Sequence, residues 1–124
     1  MTKRKFISSF MVFIKQAARL NEKRRMHGLS SLENEVEDLD DEFFKQGLRL
    51  IIDKTDPAII NEIFSNKIAF EKNKYMRRYM TIVKRAALAI QEGLNTRLLV
   101  LVLFSLADLP KKEQHQIECE LMKD

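Results

Sequence analysis

The chain has 124 residues, a mass of 14.6 kDa, a net charge of +4 and a pI near 9.3, enough for one domain with one modest core. Three Gly and two Pro leave too few turn residues for a many-stranded sheet. The longest uncharged run, Leu98 to Ala107, is ten residues against the roughly 18–20 of a membrane span; the single Cys excludes an intrachain disulfide, and the basic amino-terminal stretch shows no signal-peptide pattern.

Phe6, Phe10, Phe13, Ile14, Ala17 and Ala18 recur at three and four residues and share one stripe of a first helix, with Lys15, Arg19 and Lys23 elsewhere on its surface. Gly28 is placed to end that helix, because glycine accepts the left-handed conformation at a C-terminal cap. Ser30-x-x-Glu33 has capping-box spacing, with Leu29 as a hydrophobic staple. That predicts a short helix from about Ser31 with Leu32, Val36 and Leu39 inward, its early acids suiting the positive end of the helix dipole. Asp40 or Asp41 caps a third helix carrying Phe43, Phe44, Leu48, Ile51 and Ile52 and ending near Asp53. Thr55 or Asp56 caps the next, opened by Pro57, whose fixed φ and missing N–H suit a first turn.

From Pro57 an apolar stripe of Ile60, Phe64, Ile68, Tyr75, Tyr79, Val83, Ala86 and Ile90 meets no Pro or Gly before Gly93. It predicts one long helix over about 57–92, roughly 54 Å at 1.5 Å per residue; Asn73 marks where such a helix would break. Thr96 is placed to cap a last apolar helix through Leu98–Phe104, expected to be buried on most sides. A polar tail, Lys111 to Asp124, follows Pro110. The fold class is all-α: a compact bundle of five to six helices forming a single domain over 1–124.

Charge is segregated along the chain. Met1 to Gly28 carries eight basic residues and one acid, Glu22; Leu29 to Glu42 carries seven acids and no base; Lys72 to Arg85 is basic again. Such blocks give a dipolar surface that orients partners, or solvated faces with no partner at all. No glycine-rich phosphate loop, His-Glu-x-x-His, Cys-x-x-Cys or Gly-x-Ser-x-Gly occurs, so no enzymatic activity and no cofactor are expected. His115 and Cys119 lie at i,i+4 with Glu118 nearby, too few ligands for a closed zinc site. Asp40-Asp41-Glu42 reads as a helix-cap cluster rather than an acid–base pair, because consecutive helical residues point in different directions.

Several stretches, in order, carry a family resemblance. Arg25-Met-His-Gly28-Leu-Ser-Ser-Leu32-Glu33 is similar to "ARxxGLLxLE", and Phe44-Lys-Gln-Gly-Leu-Arg-Leu-Ile-Ile-Asp53-Lys-Thr-Asp56-Pro57 to "F…GLxLxxDGxDP", with Lys54 where Gly is common. Ala89-Ile-Gln-Glu-Gly93-Leu-Asn-Thr-Arg97 is similar to "AIQEGxNPR", with Thr96 in place of Pro, and Leu103-Phe-Ser-Leu-Ala-Asp-Leu-Pro110 to "LxSFLP". Together these resemble the MotA family, the stator subunits of the bacterial flagellar motor, over roughly residues 15–70 and 80–110. The family's pore-lining motifs are absent.

The resemblance implies a cytoplasmic domain without its four membrane spans. About 1–72 correspond to the loop between spans two and three, and about 76–124 to the tail after span four. The spans are either removed, which the continuous helical phase across Lys72–Met76 favours, or naturally missing. In the family this domain pushes on the rotor switch protein FliG through complementary charges. Those charges map onto Arg25 and Glu33, with Arg24, Glu35 and Glu37 as neighbours; read without the resemblance, Arg25 is a solvated helix end and Glu33 the capping-box partner of Ser30. The MotB stator subunit and the inner membrane are the implied partners of a full-length parent. Lys3, Arg4, Lys5, Lys72, Lys74, Arg77 and Arg78 would lie beside the missing spans, where the positive-inside rule expects basic residues. The alternatives are a TolQ/ExbB-like domain of another envelope motor and a basic helical nucleic-acid-binding module; no nucleic acid is expected, because the acidic block repels phosphate.

Overall fold

A computed structural model describes residues 1–121. Its helices are α1 (Lys3–His27), a 3-10 turn (Leu29–Leu32) running into single-turn α2 (Glu33–Val36), α3 (Glu42–Ile52), α4 (Pro57–Phe70), α5 (Lys74–Glu92), α6 (Thr96–Ala107) and α7 (Lys111–Leu121). No strand occurs among the described residues. The all-α expectation holds. The end of the tail, residues 122–124, lies outside the described residues.

Short polar side chains set the helix starts, as their hydrogen-bonding to exposed first-turn amides requires. Thr2 accepts from the Lys5 amide at 3.1 Å, Asp41 from Phe43 and Phe44 at 3.0 and 3.2 Å, and Asp56, just before Pro57, from Ala58 at 2.8 Å. α5 lies at the centre, against α1, α3, α4 and α6. It runs parallel to α1: Phe6 meets Tyr75 near both amino-terminal ends (ring centroids 6.1 Å apart), and Arg24 reaches the Ile90 carbonyl near both carboxyl-terminal ends. The α1 stripe supplies Phe10, edge-on to Phe104 at 5.7 Å, and Phe13, edge-on to Phe44 at 4.8 Å. A Cβ on Gly47 would come within 3.1 Å of Phe64 and 3.2 Å of Ala87, so α3, α4 and α5 converge where one side chain is missing.

The long helix over 57–92 does not form. It ends at Phe70, and Glu71 and Asn73 are extended. Asn73 Oδ1 caps α5 by accepting from the Met76 amide at 2.9 Å, while its Nδ2 donates to the Met1 carbonyl at 3.0 Å. Arg77 Nη1 donates to the Glu71 and Lys72 carbonyls, both at 2.8 Å, occupying groups that a continuous helix would have satisfied itself. The chain therefore doubles back, and Lys84 Nζ on α5 donates to Ser65 Oγ on α4. This break divides one expected helix in two, and with the tail also helical the described residues hold seven helices rather than five or six.

Three local expectations also change. The Ser30/Glu33 capping box is absent: α2 starts without a side-chain cap, and Ser31 Oγ donates to the Gly28 carbonyl at 2.6 Å. Leu32, Val36 and Leu39 are nevertheless buried as expected. Asn95, not Thr96, caps α6, accepting from the Arg97 and Leu98 amides. α6 buries one side only, leaving Leu98 and Leu101 about half exposed. The tail helix, by contrast, buries Ile117.

Candidate functional site

The carboxyl-terminal ends of α1 and α5 lie side by side, which brings two sets of unsatisfied carbonyls and two negative dipole ends together. Arginine side chains from α1 offset this. Arg24 donates through Nε to the Ile90 carbonyl at 2.7 Å and through Nη2 to that of Gln91 at 2.8 Å, and Arg25 Nη1 donates to the Gly93 carbonyl at 2.9 Å. Asn21, fully buried one turn earlier, donates to the Leu94 carbonyl at 2.7 Å and to Thr96 Oγ1 at 2.9 Å. Thr96 in turn bonds Glu22. Gly28 then ends α1 at φ 88° and ψ 168°, a positive-φ conformation that glycine alone adopts readily, although its ψ is extended rather than left-handed helical.

Beyond this bend the acidic segment turns back along α1. Glu33 is exposed and makes no ion pair among the described residues. Glu35 accepts from Arg19 Nη2 at 3.2 Å and Lys23 Nζ at 3.0 Å, and the Arg19 hydrogen bond first, then that of Lys23, lowers its pKa. Glu37 lies on the other side, 3.0 Å from Arg49 and 3.7 Å from Lys45 on α3, with its pKa lowered chiefly by the Arg49 hydrogen bond.

The five charges expected at a partner surface thus separate. Arg25 and Glu33 are exposed on either side of the Gly28 bend. Arg24 is half-buried and holds α5; Glu35 and Glu37 are engaged by the chain's own bases. Sequence reasoning missed Met26, 72% exposed beside Arg25. Its position off the Phe6–Phe10–Phe13 stripe was the available signal.

The other basic set lies at the opposite end of α1, which is 25 residues long, about 37 Å. Lys3, Lys74 and Arg78 line one cleft of about 200 Å³ together with Phe6, Tyr75 and Asp108. Lys72 lies in the adjoining α4–α5 break, and Arg77, in the first turn of α5, donates to the carbonyls of that break. Arg4 shares a groove with Glu113, and Lys5 one with Asp38, Asp40 and Asp41. Among the described residues no three His, Cys, Asp or Glu side chains are grouped to hold a metal ion, and no helix is long and apolar enough to cross a membrane. Cys119 Sγ lies 3.5 Å from His115 Nε2 at the surface.

No family model matches the chain. Motility protein A of Borreliella burgdorferi is 49% identical to it over 47 residues, 38% of this chain and 18% of that protein. Motility protein A of Treponema phagedenis is 36% identical over 75 residues, 60% of this chain and 29% of that protein. That of Treponema pallidum is 32% identical over 75 residues, with the same shares. The chain therefore spans less than a third of the length of these curated relatives. The matches support a relationship to the MotA family.

Proposed function

We propose that the chain is the cytoplasmic, rotor-facing part of a flagellar stator subunit, passing torque to the rotor switch protein FliG through charged contacts. The observation that carries this reading is the pair Arg25 and Glu33, opposite in sign, exposed, and set on either side of a sharp bend at one end of the bundle. Exposed charge pairs contribute roughly 0–1 kcal/mol each, enough to orient a partner and weak enough to be released at every step of a rotating ring. Similarity to three motility A proteins supports the motor assignment.

In this reading about 1–72 form the loop between two membrane spans and about 76–124 the tail after a fourth. The α4–α5 break at Glu71–Asn73 falls at that division, and with no helix running across Lys72–Met76 the continuity that favoured removed spans over naturally missing ones is lost. The parent sits in the inner membrane with MotB. Lys3, Arg4, Lys5, Lys72, Lys74, Arg77 and Arg78 are then its membrane-proximal charges, well separated from the rotor contact.

The test is charge reversal. Arg25→Glu and Glu33→Lys are each introduced into the stator gene at its native locus, and swimming is scored beside binding of the purified chain to FliG. Each reversal is expected to weaken both. Unaltered swimming and binding after both reversals would remove the assignment.

A further inference from the structure

We propose that His115 and Cys119 on α7 form half of a zinc site that a second copy of the chain completes, giving two thiolate and two imidazole ligands. The proposal does not rest on the motor reading and uses none of the charges assigned to it. Cys119 is the one cysteine of the chain and His115 one of its two histidines, and Sγ and Nε2 lie 3.5 Å apart on successive turns of the same helix. Zinc binds thiolate sulfur at about 2.3 Å and imidazole nitrogen at about 2.0–2.1 Å, and at the tetrahedral angle those bonds set the two atoms about 3.5 Å apart. The pair therefore already spans one edge of a zinc tetrahedron. Neither neighbouring carboxylate adds a third ligand: Glu118 accepts from Gln114 Nε2 at 3.2 Å, and Glu120 pairs with Lys15 on α1. Among the described residues no third His, Cys, Asp or Glu joins the pair, so one chain offers two of the four positions.

Two features make a second copy the partner that fills the others. α7 buries Ile117 against the bundle and leaves His115 and Cys119 exposed, so the open side of the pair faces solvent, where another α7 can approach. The helix also carries its charges in order, opening on Lys111 and Lys112 and closing with Glu118 and Glu120. An antiparallel pair of α7 helices about a two-fold axis sets the basic end of each near the acidic end of the other, and it brings each His115 opposite the other copy's Cys119. The two half-sites then converge on a Cys2His2 set, the ligand set of a closed structural zinc site. Binding takes both cysteines as thiolates and releases their two protons to solvent.

The test is zinc titration of the whole chain, kept reduced by a phosphine, with mass followed by sedimentation equilibrium and the ligands read by cobalt(II) substitution. One zinc per two chains is expected, with a doubling of mass, the visible band of tetrahedral cobalt and the ultraviolet charge-transfer band of thiolate bound to cobalt; a chelator is expected to reverse them. Cys119→Ser is expected to lose the charge-transfer band and the dimer. His115→Ala is expected to weaken zinc binding about 100-fold, the upper end of what losing even a supporting residue costs. Both variants are expected to melt like the parent without zinc, since both side chains are exposed. His27→Ala, which removes the other histidine, is expected to bind zinc unchanged. Arg25→Glu and Glu33→Lys, which test the motor reading, are expected to dimerise with zinc as the parent does. One zinc per chain without a dimer overturns the proposal, as does a six-coordinate cobalt spectrum. So does zinc binding by Cys119→Ser as tight as the parent's, or a dimer that survives chelation.

Discussion

Arg24 and Arg25 are consecutive, equally charged and both close to the Gly28 bend, yet truncating them should have different consequences. Arg24→Ala removes two hydrogen bonds from a half-buried guanidinium, at 2.7 and 2.8 Å, and leaves the Ile90 and Gln91 carbonyls at the end of α5 without that donor. A hydrogen bond from a charged donor contributes about 1.5–3 kcal/mol. The two share one side chain and are not additive, so the loss should be about 2–3 kcal/mol. Arg25→Ala removes one exposed hydrogen bond, to the Gly93 carbonyl, with an expected loss of about 0.5–1 kcal/mol. In a domain of this size, thermal denaturation followed by far-ultraviolet circular dichroism should lower Tm by about 8–12 °C for Arg24→Ala and about 2–4 °C for Arg25→Ala. Arg24→Lys should recover less than half of the loss, because an ammonium cannot present the planar fork that spans two successive carbonyls. Equal melting temperatures for the two alanine variants would refute the clamp and return Arg24 to the partner surface.

Three further outcomes follow from single contacts. Lys54 has φ 62°, and its amide and that of Thr55 close the end of α3 on the Ile51 and Leu50 carbonyls; Lys54→Gly should therefore stabilise the chain by about 0.5–1 kcal/mol in urea denaturation, and a loss of stability would refute the strain argument. Tyr79 Oη donates at 2.6 Å to Asp41 Oδ2, and burial first, then Asp41, holds the phenol well above the usual tyrosine range. Tyr79→Phe should cost about 1–3 kcal/mol, and Asp41→Ala more, since that carboxylate also caps α3. Glu35 has a folded pKa below its ordinary 4.5, so its stabilisation is fully present above that value and is lost as pH falls through the lower folded one. Glu35→Gln should flatten the acid limb of the stability–pH curve; an unchanged slope would contradict the Arg19 and Lys23 pairing.

The helices were legible in the sequence because their periodicity and punctuation agree. The Phe6–Phe10–Phe13 stripe, the acidic cap of α3 and the start at Pro57 all have local causes; the stripe appears as read, and of the cap residues left open the structure uses Asp41 rather than Asp40 and Asp56 rather than Thr55. The long helix failed because its apolar stripe keeps one phase through Asn73, while the break depends on partners remote from it: the Met1 carbonyl for Asn73 Nδ2 and Tyr75 packing under Phe6. The capping box failed similarly, since Ser30 and Glu33 have the right spacing but the 3-10 turn changes their register. At the candidate site, the exposure of Arg25 and Glu33 was consistent with their place around a glycine bend. The clamp role of Arg24 was not legible, because nothing local to α1 shows that the end of a helix 66 residues later arrives beside it.

The charge blocks explain why two surfaces remain distinct. Along the chain a strongly basic segment precedes a strongly acidic one, an arrangement that as an extended chain would attract itself without selectivity. Folding spends part of that attraction internally: Glu35 is held by Arg19 and Lys23, and Glu37 by Lys45 and Arg49. Among the charges in no ion pair within the described residues are Glu33 at the bend and Lys3, Lys74 and Arg78 around the α1–α5 cleft at the other extreme. With a Debye length near 8 Å at physiological ionic strength, surfaces separated by most of the length of α1 act on their partners independently. A substitution at one end of α1 should therefore leave the electrostatics of the other end unchanged, because the strength of one contact does not set the strength of the other.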